Sequence, residues 1–161
     1  MALGRILDPK LRRNLPRYVL QCLLATLVLL VLLLVEATVA SAVVVAAIGS
    51  TAFVVFIMPN SQSADARHVI GGHGIALLTG ALATFVDQDV ALQFALGGSI
   101  AVGVAIFLMA ATNTEHAPAA GTALGIVVAG LSWSLVLTLV LSVVSLALIH
   151  RLLRPWLEDL Y

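Results

Sequence analysis

The chain has 161 residues, of which 61% are hydrophobic and only 10% charged, with a mean hydropathy of +1.13. Its formal net charge is zero, which gives no basic footprint for nucleic acid, and a soluble domain of this length needs far more charged surface. The apolar residues come in long blocks rather than amphipathic stripes, so the bilayer is the expected solvent and one integral membrane domain the expected unit.

Residues 1–17 form a basic lead carrying Arg5, Lys10, Arg12, Arg13 and Arg17, with Pro9 and Pro16 limiting helix. No small-residue cleavage site follows a short apolar core, so the lead reads as an anchor flank rather than a secretory leader. Residues 18–150 are expected to form a single transmembrane domain, and 151–161 a short polar tail. The first hydrophobic segment runs from Tyr18 to about Val35 and is rich in Leu and Val, a composition suited to lipid. Glu36 ends it, since a carboxylate is costly at a bilayer centre. Cys22 lies inside this segment and can form no internal disulfide.

The second segment runs from about Ala40 to Met58, with Ala42, Ala46, Ala47, Gly49 and Ser50 suited to close helix packing. Pro59 ends it. The third starts near Val69, carries Gly71, Gly72, His73 and Gly74 in its first turn, and reaches Val86. Asp87, Gln88 and Asp89 read as a solvated turn. The fourth runs from about Val90 to Ala111, with small pairs four apart at Gly97 and Ala101 and at Ser99 and Gly103. The fifth runs from about Ala123 to Ile149, longer than a bilayer requires, so it must tilt, bend or protrude. Trp133 falls mid-segment and reads as a packing residue. Gly121, Gly125 and Ala129, and further on Ser134, Thr138 and Ser142, form rows four apart that should face neighbouring helices. The fold expected is an all-α, polytopic helical membrane bundle of about five hydrophobic segments.

Two polar islands interrupt the apolar runs. The first is P-N-S-Q-S-A-D-A-R-H-V-I-G-G-H-G at 59–74, and the second is T-N-T-E-H-A-P-A-A-G-T at 112–122. Phe56-Ile57-Met58 precedes one and Phe107-Leu108-Met109 the other. A parallel repeat of two helical hairpins follows from this likeness, with a ligand site where the repeats meet. A helix N-terminus offers unpartnered N–H groups and partial positive charge, and glycine lets a ligand approach. Two such N-termini, with Arg67, His73, Asn113 and His116 nearby, would suit a small oxyanion. Arg67 gives a fixed charge, and the two histidines could couple anion movement to protons. The alternative is that the glycines serve close packing and the histidines bond carbonyls freed at helix breaks.

Metal and enzyme chemistry have less support. His68 and His73 are five apart, and the chain has no HExxH or CxxC pattern. No nucleophile elbow is present either. Neither a metal nor another cofactor is expected, and the chain does not read as an enzyme.

H-V-I-G-G-H-G at 68–74 resembles the N-V-I-G-G-H element of the HPP family of integral membrane proteins. T-N-T-E-H-A-P-A-A-G-T-A-L at 112–124 resembles that family's T-x-T-x-H-P-P-A-G-A-T-A-L. G-S-T-A-F-V-V-F at 49–56 looks like the helix leading into the first island, so the resemblance covers roughly 45–130. It implies a compact helical membrane domain and small-anion transport, with nitrite as the leading substrate. Arg67, Gly71, Gly72, His73, His116 and Pro118 match the family pattern. Ala117 replaces the middle residue of His-Pro-Pro, His68 stands where asparagine is usual, and Ala66 where a proline precedes Arg67. The substrate-binding residues expected are therefore Arg67, Gly71, Gly72, His73, Asn113, His116 and Pro118. Membrane lipid, a small inorganic anion and further copies of the chain, as a homo-oligomer, are the expected partners. The alternative is a non-transporting binding, sensing or assembly module. The basic lead predicts a cytoplasmic N-terminus in the plasma (inner) membrane. Five spans then put the C-terminus outside, which sets Arg151 and Arg154 against the positive-inside rule; an even count, with the first or fifth segment not crossing, is the competing reading.

Overall fold

The long apolar runs become six α-helices in a computed structural model that describes residues 11–36, 42–86 and 91–160. They are α1 (Leu11–Glu36), α2 (Ala42–Ile57), α3 (Ala66–Ala83), α4 (Ala91–Thr112), α5 (Ala117–Ala129) and α6 (Trp133–Leu153). The described residues contain no strand, and the chain is an all-α membrane bundle. Three stretches are long and apolar enough to cross a membrane: Asn14–Leu32, Ala91–Thr112 and Trp133–Trp156. The readings of Arg5, Pro9, Lys10, the 87–89 turn and the side chains of Arg12, Arg13 and Glu36 lie outside the described residues. Pro16, expected to limit helix in the basic lead, falls within α1, which begins at Leu11.

The expected fifth segment is two helices. The chain breaks at Gly130, whose φ of 75° and ψ of 154° suit glycine almost alone. Ser132 then caps α6 by accepting a hydrogen bond from the Leu135 amide at 3.2 Å. The apolar composition runs through the break and hides it. Trp133 consequently opens α6 and is 83% exposed, while Trp156 is 74% exposed beyond the other end. Trp133 is therefore not a packing residue, and the two rings stand where an interfacial aromatic belt would place them.

Helix α5 is the hub, packing on α2, α3 and α4, while α6 packs on α2 and α3, and α1 on α2. Small residues permit this. A Cβ on Gly125 would sit 3.0 Å from Val44 Cγ2, and one on Gly80 only 2.8 Å from the Ala123 carbonyl oxygen. Gly97 and Ala101 are buried, whereas Ser99 and Gly103 face outward. Thr138 and Ser142 are buried and Ser134 is exposed, so the expected row on α6 holds for its inner two members. The main core gathers Ile48, Phe56, Val69, Ile126, Leu139 and Leu146. Helix α1 leaves most of its surface outward, Cys22 included, as expected of a lipid face.

A set of polar contacts gathers at one end of the bundle. Gln21 on α1 is buried and donates to the carbonyls of Phe56 and Glu158. Arg17 pairs with Glu158, and the Leu160 amide donates to the Ile57 carbonyl at 3.0 Å. His150, near the end of α6, bonds the Pro59 carbonyl at 2.8 Å. Arg67 donates to the Thr112 carbonyl at 2.9 Å. The start of α1, the ends of α2, α4 and α6, and both islands therefore meet on one side. The six helices of the described residues alternate in direction, and the tail returns to the face where α1 begins. The odd count expected from five segments placed it on the opposite face.

Candidate functional site

Helix α3 begins at Ala66, not near Val69, with Asp65 as its cap residue. Gly71 to Gly74 thus fall in the second turn, where their amides are used within the helix. What these glycines admit is the second island. A Cβ on Gly71 would lie 2.8 Å from Thr114 Cγ2, and one on Gly72 would lie 2.9 Å from His116 Cβ and 3.1 Å from the Thr114 carbonyl. The Asn113 backbone bends sharply to reach this position. With φ at 53° it ends α4, its amide bonding the Ala110 carbonyl at 3.4 Å and the Thr114 amide the Met109 carbonyl at 2.9 Å. That is a Schellman arrangement, for which asparagine is a common alternative to glycine. His116 follows as the cap residue of α5, and Pro118 lies in the first turn, where its missing N–H costs nothing.

The result is a buried cluster of imidazoles and hydroxyls. His73 is 2% exposed and His116 is 1% exposed, their ring centroids 5.1 Å apart and tilted by 57°. Thr51 of α2 stands between them. Its Oγ1 is 2.9 Å from His73 Nε2 and 3.1 Å from His116 Nε2. His73 Nδ1 reaches Thr122 Oγ1 at 2.9 Å, and His116 Nδ1 reaches the Ser63 carbonyl at 2.8 Å and Ser63 Oγ at 3.2 Å. Thr51 and His73 lie six and seven residues from their helix ends, which sets the cluster roughly 10 Å inside the bundle at about 1.5 Å per residue.

Hydrogen-bond chemistry sets the polarity of this chain when both rings are neutral and the Ser63 carbonyl is the partner of His116 Nδ1. A carbonyl can only accept, so His116 Nδ1 carries the proton and Nε2 accepts from the Thr51 hydroxyl. Thr51 then accepts from His73 Nε2–H, and His73 Nδ1 accepts from Thr122. Every bond points the same way, from Thr122 toward Ser63. Thr51 Oγ1 also lies 2.9 Å from the Ala47 carbonyl, an alternative acceptor for its single hydrogen.

The chain was compared with known families and proteins. The model of the HPP transmembrane region matches residues 10–155. The chain belongs to the HPP family. A search of curated proteins and a search of solved structures each found no match. The family match extends well beyond the stretch at 45–130 that carries the sequence resemblance, taking in α1 and α6.

Within this HPP domain, two of the seven expected site residues, His73 and His116, meet directly. Gly71, Gly72 and Pro118 shape the ground beneath them. Arg67 and Asn113 are exposed at the end of the bundle and do not line the cluster. Three partners were not foreseen: Thr51, Ser63 and Thr122. Thr51 and Thr122 were within the stretches resembling the family, and a hydroxyl in an apolar helix is a cue whenever buried histidines need partners. His68 is buried, with neither ring nitrogen hydrogen-bonded and Nε2 3.7 Å from the Glu115 carboxylate. No group of three or more His, Cys, Asp or Glu among the described residues could hold a metal ion.

One hollow touches the cluster, and a second lies at the island end of the bundle. One of about 110 Å³ touches His73 and is otherwise lined by apolar residues such as Ile70, Leu139 and Val143. A cleft of about 670 Å³ at the island end is lined by Asn60, Asp65, Ala66, His150, Arg151 and Arg154.

Proposed function

We propose that this HPP protein moves a small anion across the membrane, with nitrite the first candidate and the His73–Thr51–His116 cluster as the site the anion visits. The observation that carries this reading is the burial of two histidines and two threonine hydroxyls where α2, α3 and α5 meet, inside an apolar bundle. Ionisable residues in such a position are costly and mark solute or proton pathways by default. Imidazole N–H and hydroxyl groups are the donors an oxyanion needs. Arg151 and Arg154, lining the cleft at the same end, add a positive field that would concentrate anions there. Further copies of the chain would complete a continuous path, since the short helices α2 and α5 leave little room for one within a single bundle.

A second reading keeps the cluster as a binding or sensing element without transport. It is favoured by one feature: every ring nitrogen of His73 and His116 has a partner within the protein. Reconstitution into liposomes separates the two. Transport predicts protein-dependent nitrite flux that falls to background in the double variant His73→Ala, His116→Ala. Equal flux in wild type and double variant would remove the cluster from the pathway. Nitrite-dependent thermal stabilisation without flux would favour sensing.

A further inference from the structure

We infer that the histidine–threonine cluster is a proton relay whose entrance at the membrane surface is the Glu115–His68 pair. This deepens the transport reading by naming a coupling ion, and it rests on that reading's placement of the working site. The first observation is the chain itself. Four hydrogen bonds between 2.8 and 3.1 Å run through His73, Thr51 and His116 without interruption. Each linking group can both donate and accept, which is what handing on a proton requires.

The second observation is that Ser63 offers His116 Nδ1 two different atoms. Its carbonyl accepts, and its hydroxyl, 3.2 Å away, can donate. The chain can therefore hold either polarity. In the inverted form, Ser63 Oγ–H donates to His116 Nδ1, His116 Nε2–H to Thr51, Thr51 O–H to His73 Nε2, and His73 Nδ1–H to Thr122. A proton added at His116 Nδ1 releases Nε2–H to Thr51. Thr51 passes its own hydrogen to His73 Nε2, His73 hands Nδ1–H to Thr122 Oγ1, and Thr122 releases its own hydrogen to the oxyanion of the proposed transport. One proton enters, one leaves, and no charge stays behind. The four bonds finish in the polarity that the carbonyl of Ser63 favours.

The third observation is His68. A buried imidazole with no hydrogen bond carries a desolvation cost of about 1–3 kcal/mol and calls for a reason. Its Nε2 lies 3.7 Å from the Glu115 carboxylate, which is 56% exposed. His68 lies one helical turn before Gly72, against which His116 Cβ is seated, so the two imidazoles share that side of α3. It thus stands between a solvent-facing acid and the outer end of the chain. Glu115 in its acid form would yield a proton to His68 and return to carboxylate, and His68 would hand it on to His116. The other charged residues of the two islands are engaged elsewhere: Arg67 on the Thr112 carbonyl, and Asp65 with Arg154.

Magnetic resonance on isotope-labelled histidine, with the protein in lipid bilayers, tests the relay through exchange of the ring N–H groups with water. Wild type should show exchange at both His116 and His73. Thr51→Val should slow exchange at His73 about ten-fold or more, the change that about 1.4 kcal/mol of added barrier produces, while Thr51→Ser restores it. His68→Phe should slow both sites. Unchanged His73 exchange in Thr51→Val, or no exchange at either ring in wild type, would overturn the relay. Unchanged exchange in His68→Phe would overturn the entrance. Nitrite flux without Thr51-dependent exchange would leave transport standing and remove the relay, whereas exchange without flux would do the opposite.

Discussion

Gly72 and Gly74 sit two residues apart on α3 and make a sharp internal comparison. A methyl group at Gly72 would lie 2.9 Å from His116 Cβ, 3.1 Å from the Thr114 carbonyl and 3.2 Å from Met109 sulfur. The first two belong to the cap and backbone of the second island, so neither can swing aside as a side-chain tip could. Ordinary contact begins at 3.4 Å, so island two must withdraw by about 0.5 Å. Overpacking of this kind costs about 1–3 kcal/mol. Alanine returns up to about 1 kcal/mol of helix propensity, so a net loss of up to about 2 kcal/mol is expected. A methyl at Gly74 meets nothing within 4 Å, leaving only the propensity gain. Thermal unfolding in the same detergent should therefore show Gly72→Ala below wild type by several degrees, at about 2–4 °C per kcal/mol for this size. Gly74→Ala should equal or exceed wild type. If Gly72→Ala proved as stable as Gly74→Ala, the close seating of His116 on α3 would be wrong, and with it the geometry of the cluster.

Gly130→Ala should destabilise by about 1–3 kcal/mol in the same assay, because the break between α5 and α6 uses a conformation almost closed to other residues. Asp65→Asn removes an ion pair whose partners are 40% and 48% exposed, so its unfolding temperature should change by the equivalent of less than about 1 kcal/mol. Deleting residues 158–161 leaves the buried Gln21 with fewer partners and should lower stability by about 1–3 kcal/mol, measured against full-length protein. Tags at the two ends, probed by protease in sealed vesicles, should be accessible from the same side, and opposite accessibility would refute the six-helix order.

The helical membrane fold was legible because composition alone excludes the soluble alternatives and the blocks are long. The break in the fifth segment was not. It rests on one glycine dihedral and one serine cap inside a run whose hydropathy barely changes, and only the three-dimensional path separates α5 from α6. The site was half legible for a similar reason. His73 and His116 stood out as rare polar residues flanked by small ones, and their pairing across the two islands followed from that likeness. Glycine beside histidine is ambiguous in sequence, since the same residue admits a ligand or a neighbouring helix. At Gly72 the neighbour is His116 itself. Thr51 was hidden because a lone threonine in an apolar helix often bonds its own backbone, and here it does that as well, to Ala47.

The break in segment five also bears on charge. With five spans, Arg151 and Arg154 oppose the basic lead across the bilayer, and one of the two groups must violate the positive-inside rule. With α5 and α6 as separate passes, Arg154 instead lies against Asp65 of the first island, and the tail meets α1 at Arg17 and Gln21. Arg17, Arg67, Arg151 and Arg154 then occupy one face, so the two basic groups no longer oppose each other across the bilayer. Glu115, the cleft beside Arg151 and the outer end of the histidine chain share it. If the cluster exchanges protons with water through Glu115, it does so with the same compartment that faces the arginine cleft. On the anion transport proposed above, anion and proton would then approach the site from one side, the geometry that co-transport requires of an open state.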